Sequence, residues 1–224
     1  MSLIDEYLRL KQSKPKPRLP GVLYVTDLTK PCQLQAYLNI KEAQTFPVET
    51  LRIFEAGNMI EDYWDNILVK NSGIWVLGTQ VPTYYFGDGW EVHGRLDALC
   101  QHDNGCIVAH EVKSIKSTYY LRGPRDEHLE QVQFYMNVLG VDSGQVDYLD
   151  KKSFLDGKGV IDHCFKVKRD SRVFGWMVER AMVLAAAVTG SGDVPVGSPL
   201  AWSGKICDYC GHRDKCGDAS GVGL

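Results

Sequence analysis

The stretch from Gly94 to Ser114, GRLDALCQHDNGCIVAHEVKS, reads as two strands joined by a tight turn. Apolar and polar residues alternate in both halves, the period of a half-buried strand. On the first strand the alternation puts Trp90, Val92, Leu96 and Ala98 on one face and Glu91, His93, Arg95 and Asp97 on the other. On the second, Ile107, Ala109, Glu111 and Lys113 share a face, so Glu111 and Lys113 stand about 7 Å apart along the strand. The linking HDNG is hairpin chemistry. A three-residue Asp103-Asn104-Gly105 loop sets Asp97 opposite Glu111, and another loop length or a bulge would shift that register.

Two carboxylates facing each other across strands destabilise a sheet. A hard divalent cation between them reverses the sign of that term. Mg²⁺ takes one or two protein carboxylates together with water and phosphate oxygens. Lys113, two residues beyond Glu111, is placed to orient or deprotonate a water, or to neutralise charge developing on a phosphate. The spacing therefore allows a metal-dependent hydrolytic site for phosphodiesters. The plain alternative is an exposed sheet face with a Glu–Lys pair, and E-x-K alone does not choose between them. His128, Gln131 and Tyr135 follow at i, i+3 and i+7 of a helix, hence on one face. Their polar heads suit a nucleic-acid backbone or an attacking water, and the alternative is an ordinary amphipathic boundary.

Outside this stretch, Leu3, Tyr7, Leu8 and Leu10 predict a short amphipathic helix. The Pro-rich KQSKPKPRLPG that follows cannot be regular structure. Arg9, Lys11, Lys14, Lys16 and Arg18 are interrupted by no acid, which reads as a solvated arm or a phosphate-contacting one. Thr26 is the expected N-cap of a helix through Leu38. Pro47 to Val69 reads as a long helix with Ile53, Ile60, Trp64, Ile67 and Leu68 as its core stripe. IWVLG and VPTYYF carry strand signals, as do Gln145–Leu149 and Val160–Lys168. Arg125–Leu139, stopped by Gly140, and Arg172–Val188, closed by TGSGD, read as helices. This order predicts an α/β fold, a central mixed sheet flanked by helices.

The chain has 224 residues, 44% of them hydrophobic and 24% charged. That suits one soluble domain with a small appendage. The longest apolar run, Ala181 to Val188, is short of the roughly 20 residues that span a bilayer. The N-terminal MSLIDEYLRLKQ has no apolar core of a secretory signal, so a cytoplasmic setting, prokaryotic or viral, is expected and no membrane partner. A net charge of −3 argues against a protein that coats nucleic acid electrostatically. The seven cysteines are odd in number and unevenly placed, a poor fit to a disulfide framework.

Three motifs now combine. Gly94-Arg95-x-Asp97, Glu111-x-Lys113 and Gln131-x-x-x-Tyr135 together resemble the PD-(D/E)XK nuclease superfamily in its RecB-like branch. The resemblance implies a restriction-endonuclease-like core, Asp97 and Glu111 as ligands of Mg²⁺ or Mn²⁺, Lys113 as the catalytic lysine, and catalytic roles for Gln131 and Tyr135. That branch carries a histidine four residues after a glycine on an upstream helix. Here Glu61 follows Gly57 at that spacing. A carboxylate in that place suits Mg²⁺ or Mn²⁺.

Cys207-x-x-Cys210 and Cys216 form a metal signature that lacks a fourth ligand. Cys100, Cys106 and Cys164 sit in strand patterns and read as core or near-core residues, which leaves Cys32 as the better candidate. Four thiolates serve Zn²⁺ or an iron–sulfur cluster, and spacing does not choose. One N-terminal and three C-terminal cysteines resemble the Cas4-like subfamily, over nearly the whole chain. That resemblance implies a structural [4Fe–4S] cluster on Cys32, Cys207, Cys210 and Cys216, an appendage stapling the two ends of the chain. The expected organisation is a helix and basic linker over 1–22, a nuclease core over 23–190, and a cysteine segment over 191–224.

Between Lys113 and Arg125 lie Lys113, Lys116, Arg122 and Arg125, no acid, and the pair Tyr119-Tyr120. Basic residues interleaved with aromatics are what a single-strand path needs. The alternative is a loop with buried tyrosines. The expected function is a metal-dependent DNA nuclease, a single-strand-specific exonuclease. One alternative is a CRISPR-adaptation endonuclease trimming prespacers with an integrase; the expected partners are single-stranded DNA and either that integrase or replication or recombination proteins. Another is a non-catalytic DNA-binding module with a degraded site.

Overall fold

The computed structural model describes residues 2–12, 18–42, 46–70, 73–156, 162–197, 207 and 210–220. In chain order the elements are α1 (Leu3–Gln12), β1 (Val22–Tyr24), α2 (Val25–Leu28), α3 (Gln33–Lys41), α4 (Val48–Lys70), β2 (Ile74–Phe86), β3 (Glu91–His102), β4 (Ile107–Ile115), α5 (Asp126–Leu139), β5 (Ser143–Asp150), α6 (Lys151–Leu155), β6 (Asp162–Lys168), α7 (Ser171–Thr189) and α8 (Arg213–Ser220). The strands form one mixed sheet in the order β1-β3-β4-β5-β6, with β2 on β3 as well. β1 runs parallel to β3, and β4 parallel to β5; the β2–β3, β3–β4 and β5–β6 pairs are antiparallel. The expected central mixed sheet flanked by helices is thus present.

Helices cover both faces. On one, α5 and α7 bury Val132, Phe134, Met177 and Leu184 against Leu23, Leu96, Val146 and Tyr148. On the other, Trp64 and Leu68 of α4 pack on Ala98, Cys100, Val112 and Leu149. A side chain such as Phe134, wholly buried, contributes roughly 1.5–3 kcal/mol by burial. Local chemistry sets the helix ends. α5 starts after Arg125 and stops at Gly140, whose φ of 68° is left-handed. Asp170 caps α7 by accepting the Arg172 N–H, and the helix ends at Gly190, with φ 81°.

Several expectations need correction. The helix expected from Thr26 to Leu38 is two helices, α2 and α3, broken at Pro31, which lacks an N–H and disfavours helical backbone at Lys30. The cap is Tyr24, two residues earlier than Thr26. The Asp27 carboxylate accepts the Tyr24 N–H at 2.8 Å. IWVLG and VPTYYF form a single strand, β2, with a bulge between Val76 and Gly78 instead of a turn. On α4, Trp64 and Leu68 are buried but Ile53 and Ile67 are 62% and 45% exposed, because the sheet meets only part of the helix. Cys106 and Cys164 are exposed, one at the hairpin turn and one on the edge strand β6. Lys14, Lys16 and Val160 lie outside the described residues. Among the described residues no helix is long and apolar enough to cross a membrane.

Candidate active site

The site lies where β3 has no strand neighbour on one edge. β2 occupies one edge of β3 from Glu91 to His102. On the other edge, β1 pairs with Glu91–His93 and β4 with Ala98–Gln101. The backbone of 94–97, the GRxD motif, lies between these two ladders. The hairpin carries the expected register. Ala98 pairs with His110 and Gln101 with Ile107, which makes Asp97 and Glu111 the next positions. Gly105 turns the chain with φ 80°, and the His102 N–H donates to the Cys106 carbonyl at 2.9 Å. At Asp97 the backbone ladder stops, and the Asp97 carboxylate accepts the Val112 N–H at 2.7 Å in its place.

The same interruption changes which way β3 points. Val92 and Leu96 pack in the α5–α7 core, whereas Ala98 and Cys100 pack under α4. The single face expected for all of Val92, Leu96 and Ala98 is therefore split at Asp97. Gly94 has a packing reason: a Cβ there would come within 2.6 Å of Thr83 Oγ1 and of the Tyr135 ring. Only glycine lets Tyr135 cross β3 this closely.

A cleft of about 430 Å³ opens at the gap, lined by Tyr24, Glu61, His93, Arg95, Asp97, Glu111, Lys113, Gln131 and Tyr135. Thus α4 supplies Glu61, β3 Asp97, β4 Glu111 and Lys113, and α5 Gln131 and Tyr135. The six residues named from the sequence converge. His128 does not join them. Its Nδ1 accepts from the Tyr148 hydroxyl at 2.8 Å, and burial, with Lys113 and Arg125 nearby, lowers its pKa to about 3. No residue of the Lys116–Arg125 segment lines the cleft. Tyr119 and Tyr120 are 74% and 83% exposed, which rules out the buried-tyrosine reading. They line a separate hollow of about 490 Å³ with Asp150 and Lys152. Lys116, Arg122 and Arg125 are exposed and line neither cavity. The carboxylates of the larger hollow already have partners, Asp150 in Thr118 and Ser153 and Asp156 in Lys152, so the chemistry points to the smaller cleft. Of the basic arm, Lys11 pairs with Glu55 at 2.9 Å and Arg18 with Asp27 at 2.6 Å, so both are used within the fold.

The electrostatics of the cleft are unbalanced. Lys113 Nζ contacts Glu111 Oε1 at 2.5 Å. The other Glu111 oxygen, Oε2, is buried with no hydrogen-bond partner among the described residues, and so is Gln131 Oε1. Burial pushes the Asp97 carboxyl well above the usual range, and repulsion from Glu111 adds to it. Burial likewise raises Glu111, against the pull of Lys113. Burial alone would lower Lys113, but Glu111 and Asp97 outweigh it and hold the ammonium protonated. Glu61 stands at the rim, its Oε1 accepting from Gln80 Nε2 at 3.1 Å.

Hard oxygen donors with an orphaned buried carboxylate oxygen fit Mg²⁺ or Mn²⁺ in type. Asp97, Glu111 and Glu61 are the residues that would hold it. Among the described residues no three His, Cys, Asp or Glu side chains are already gathered tightly enough to ligate a metal. Mutual repulsion of bare carboxylates is a physical reason for that spread.

The cysteines approach one another from the two ends of the chain, but among the described residues they are not gathered into a tight ligand set. Cys32 caps α3. Cys207, Cys210 and Cys216 come from the C-terminal segment, part of which lies outside the described residues. Burial raises the Cys216 thiol, and Cys32, Cys207 and Cys210 each add to the shift, which places all four in one neighbourhood. Polar contacts join the same ends. Lys215 Nζ meets Glu42 at 2.5 Å and His212 Nε2 lies 2.8 Å from Asn39 Oδ1. Four free thiols of this kind suit a soft metal or an iron–sulfur cluster.

The sequence reading missed Tyr24, His93 and Arg95 as lining residues. His93 and Arg95 were already on the polar face with Asp97. Tyr24 gave no signal, because its strand is only three residues long.

No family model matches the chain, and no curated protein matches it in sequence. Solved structures do. The crystal structure of SSO0001 aligns with 97% of this chain and 95% of its own, at TM-score 0.62 and 20% identity. LHK-Exo in complex with dAMP aligns with 76% of this chain and 89% of its own, at TM-score 0.56 and 16% identity. The alkaline exonuclease LHK-Exo from Laribacter hongkongensis aligns with 83% and 93%, at TM-score 0.56 and 14% identity. At these identities the likeness is one of fold, and the fold is one that an alkaline exonuclease uses.

Proposed function

We propose that the chain is a metal-dependent DNA nuclease with Asp97, Glu111 and Lys113 at its centre. The observation that carries this reading is the interrupted edge of β3, where buried carboxylates converge beside a lysine and one carboxylate oxygen has no partner. A bound Mg²⁺ or Mn²⁺ would supply Lewis-acid polarisation of the scissile phosphate and acidify a water. Asp97, Glu111 and Glu61 would hold it. Lys113, kept as an ammonium by its neighbours, orients the attacking water and neutralises charge growing on the phosphate oxygens. It is a poor proton acceptor in this setting. Gln131 offers its amide to the phosphate or the water. Tyr135 braces the open edge of β3 by packing its ring against Gly94.

DNA as substrate is supported by the fold shared with the alkaline exonuclease LHK-Exo, solved once in complex with dAMP. The exposed Tyr119–Tyr120 pair and the basic residues Lys116, Arg122 and Arg125 favour an unpaired strand, acted on from its end. The four-cysteine arrangement favours a second reading, a prespacer-trimming endonuclease that works with an integrase. In either case Cys32, Cys207, Cys210 and Cys216 hold a [4Fe–4S] cluster that joins the chain ends.

Cleavage of a labelled single strand with Mg²⁺ or Mn²⁺, set against Lys113→Ala, tests the reaction. No cleavage by the wild type overturns it and leaves a non-catalytic DNA-binding module, and equal cleavage by the two proteins removes Lys113 from the reaction. The end requirement and polarity of cleavage separate exonuclease from trimming endonuclease. Anaerobically purified protein should be brown; a colourless preparation with stoichiometric zinc replaces the cluster by Zn²⁺.

A further inference from the structure

A row of aromatic rings leaves the cleft along the sheet. Tyr24 pairs laterally with His93, and His93 with Tyr84, so the three residues stand side by side across β1, β3 and β2. Their rings touch. Tyr24 and His93 are edge-to-face at 6.3 Å and His93 and Tyr84 at 4.9 Å. Phe86, two residues on, continues the row, stacked beside Tyr84 at 6.4 Å and 20°. Tyr24 and His93 also line the active-site cleft.

This row is not core. Tyr85, between Tyr84 and Phe86, packs against Phe174 of α7, so its two neighbours project from the opposite face. That is the face α4 covers, but its buried residues reach only the other end, around Ala98, Cys100 and Val76. Tyr84 and Phe86 are left 49% and 70% exposed. The Arg18 guanidinium lies 4.7 Å above the Tyr24 ring and is anchored by Asp27, which fixes the ring's orientation. Glu91 contacts His93 Nε2 at 3.2 Å, so the row is not a simple cationic phosphate path.

Exposed rings held at fixed spacing on a rigid sheet, running out of a phosphodiester cleft, suit one ligand class. We infer that Tyr24, His93, Tyr84 and Phe86 form a stacking platform for unpaired nucleobases of the strand whose phosphate enters the cleft. Each base–aromatic stack contributes about 1–3 kcal/mol and is indifferent to base identity. Sequence-tolerant grip on a single strand follows. The inference rests on the nuclease reading and names a binding subsite on the opposite side of the site from Tyr119 and Tyr120.

Binding in EDTA, with no hydrolysis running, tests it apart from the chemistry. The probes are a labelled trinucleotide and a labelled dodecanucleotide, the longer one also carrying 2-aminopurine. Wild-type protein should bind the longer strand more tightly and quench the 2-aminopurine. Tyr84→Ala and Phe86→Ala should each narrow the dodecamer-to-trimer affinity ratio about tenfold and restore the fluorescence. Tyr84→Trp should keep the quench, and Tyr84→Leu, apolar but without a π face, should lose it. An unchanged ratio in both alanine variants, or leucine performing as well as tryptophan, overturns the platform. Wild-type cleavage with Mg²⁺ or Mn²⁺ reports separately on the nuclease reading, which stands if the platform alone fails.

Discussion

His110 and Glu111 are consecutive on β4, both buried, and on opposite faces of the sheet. His110 donates from Nδ1 to Asp147 Oδ2 at 2.8 Å, and its Nε2 lies 3.2 Å from His102 Nε2. The second Asp147 oxygen accepts from Gln145 Nε2 at 2.5 Å. Every polar group of that cluster has somewhere to go. Glu111 has Lys113 on one oxygen and, among the described residues, no hydrogen-bond partner on the other. One cluster is a closed hydrogen-bond network that specifies the fold; the other is an open one, whose cost a ligand would relieve. Burial alone does not separate them. What separates them is whether the partners are internal.

The largest test of this contrast is exchange of one carboxylate on each side. Glu111→Gln should lower cleavage by about 10²–10³-fold, as loss of a charge-stabilising group does, without lowering the melting temperature. Asp147→Ala should leave cleavage per folded molecule in place and destabilise by about 3–5 kcal/mol, since it strands a buried partner. Urea titration beside initial rates reads both; matching effects on rate and stability in the two variants would erase the distinction. Next in size is the metal. Mg²⁺ or Mn²⁺ at a hundred times its Kd should stabilise the wild type by about 2.7 kcal/mol and leave Asp97→Asn unmoved in a thermal melt.

The smallest effect concerns Glu130, on α5 beside Gln131. Burial raises its pKa from 4.5 to about 7, with Asp126 and Glu127 adding and Arg180 opposing. The folded chain therefore holds this proton more tightly than the unfolded one. Its stabilisation is full below pH 4.5 and lost as pH rises to about 7. Glu130→Gln should flatten the fall in denaturation midpoint between those pH values. An equally steep fall in the variant assigns the pH dependence elsewhere.

Much of the site was legible because its chemistry is local. E-x-K on an alternating strand forces Glu111 and Lys113 to one face, and Asp103-Asn104-Gly105 forces the register that brings Asp97 level with Glu111. The spacing of Gln131 and Tyr135 on a helix bounded by Arg125 and Gly140 was equally local. Pro31 broke a helix that its apolar spacing suggested, because a missing N–H outweighs periodicity. Ile53 and Ile67 carried the right spacing and still face solvent, because a stripe shows that a face is apolar and not that something covers it.

Sequence alone determined the residue types at the site, the shared face of Glu111 and Lys113 and the hairpin that aligns them with Asp97, since strand period and turn chemistry act over a few residues. Only the tertiary structure decided the gap. β1 and β4 come from parts of the chain more than eighty residues apart and share one edge of β3, and the space between their ladders depends on where each stops. That non-local fact turned an ordinary Glu–Lys pair into a cleft, drew Tyr24 beside His93 and Tyr84, and left Asp97 to complete the ladder with its own carboxylate.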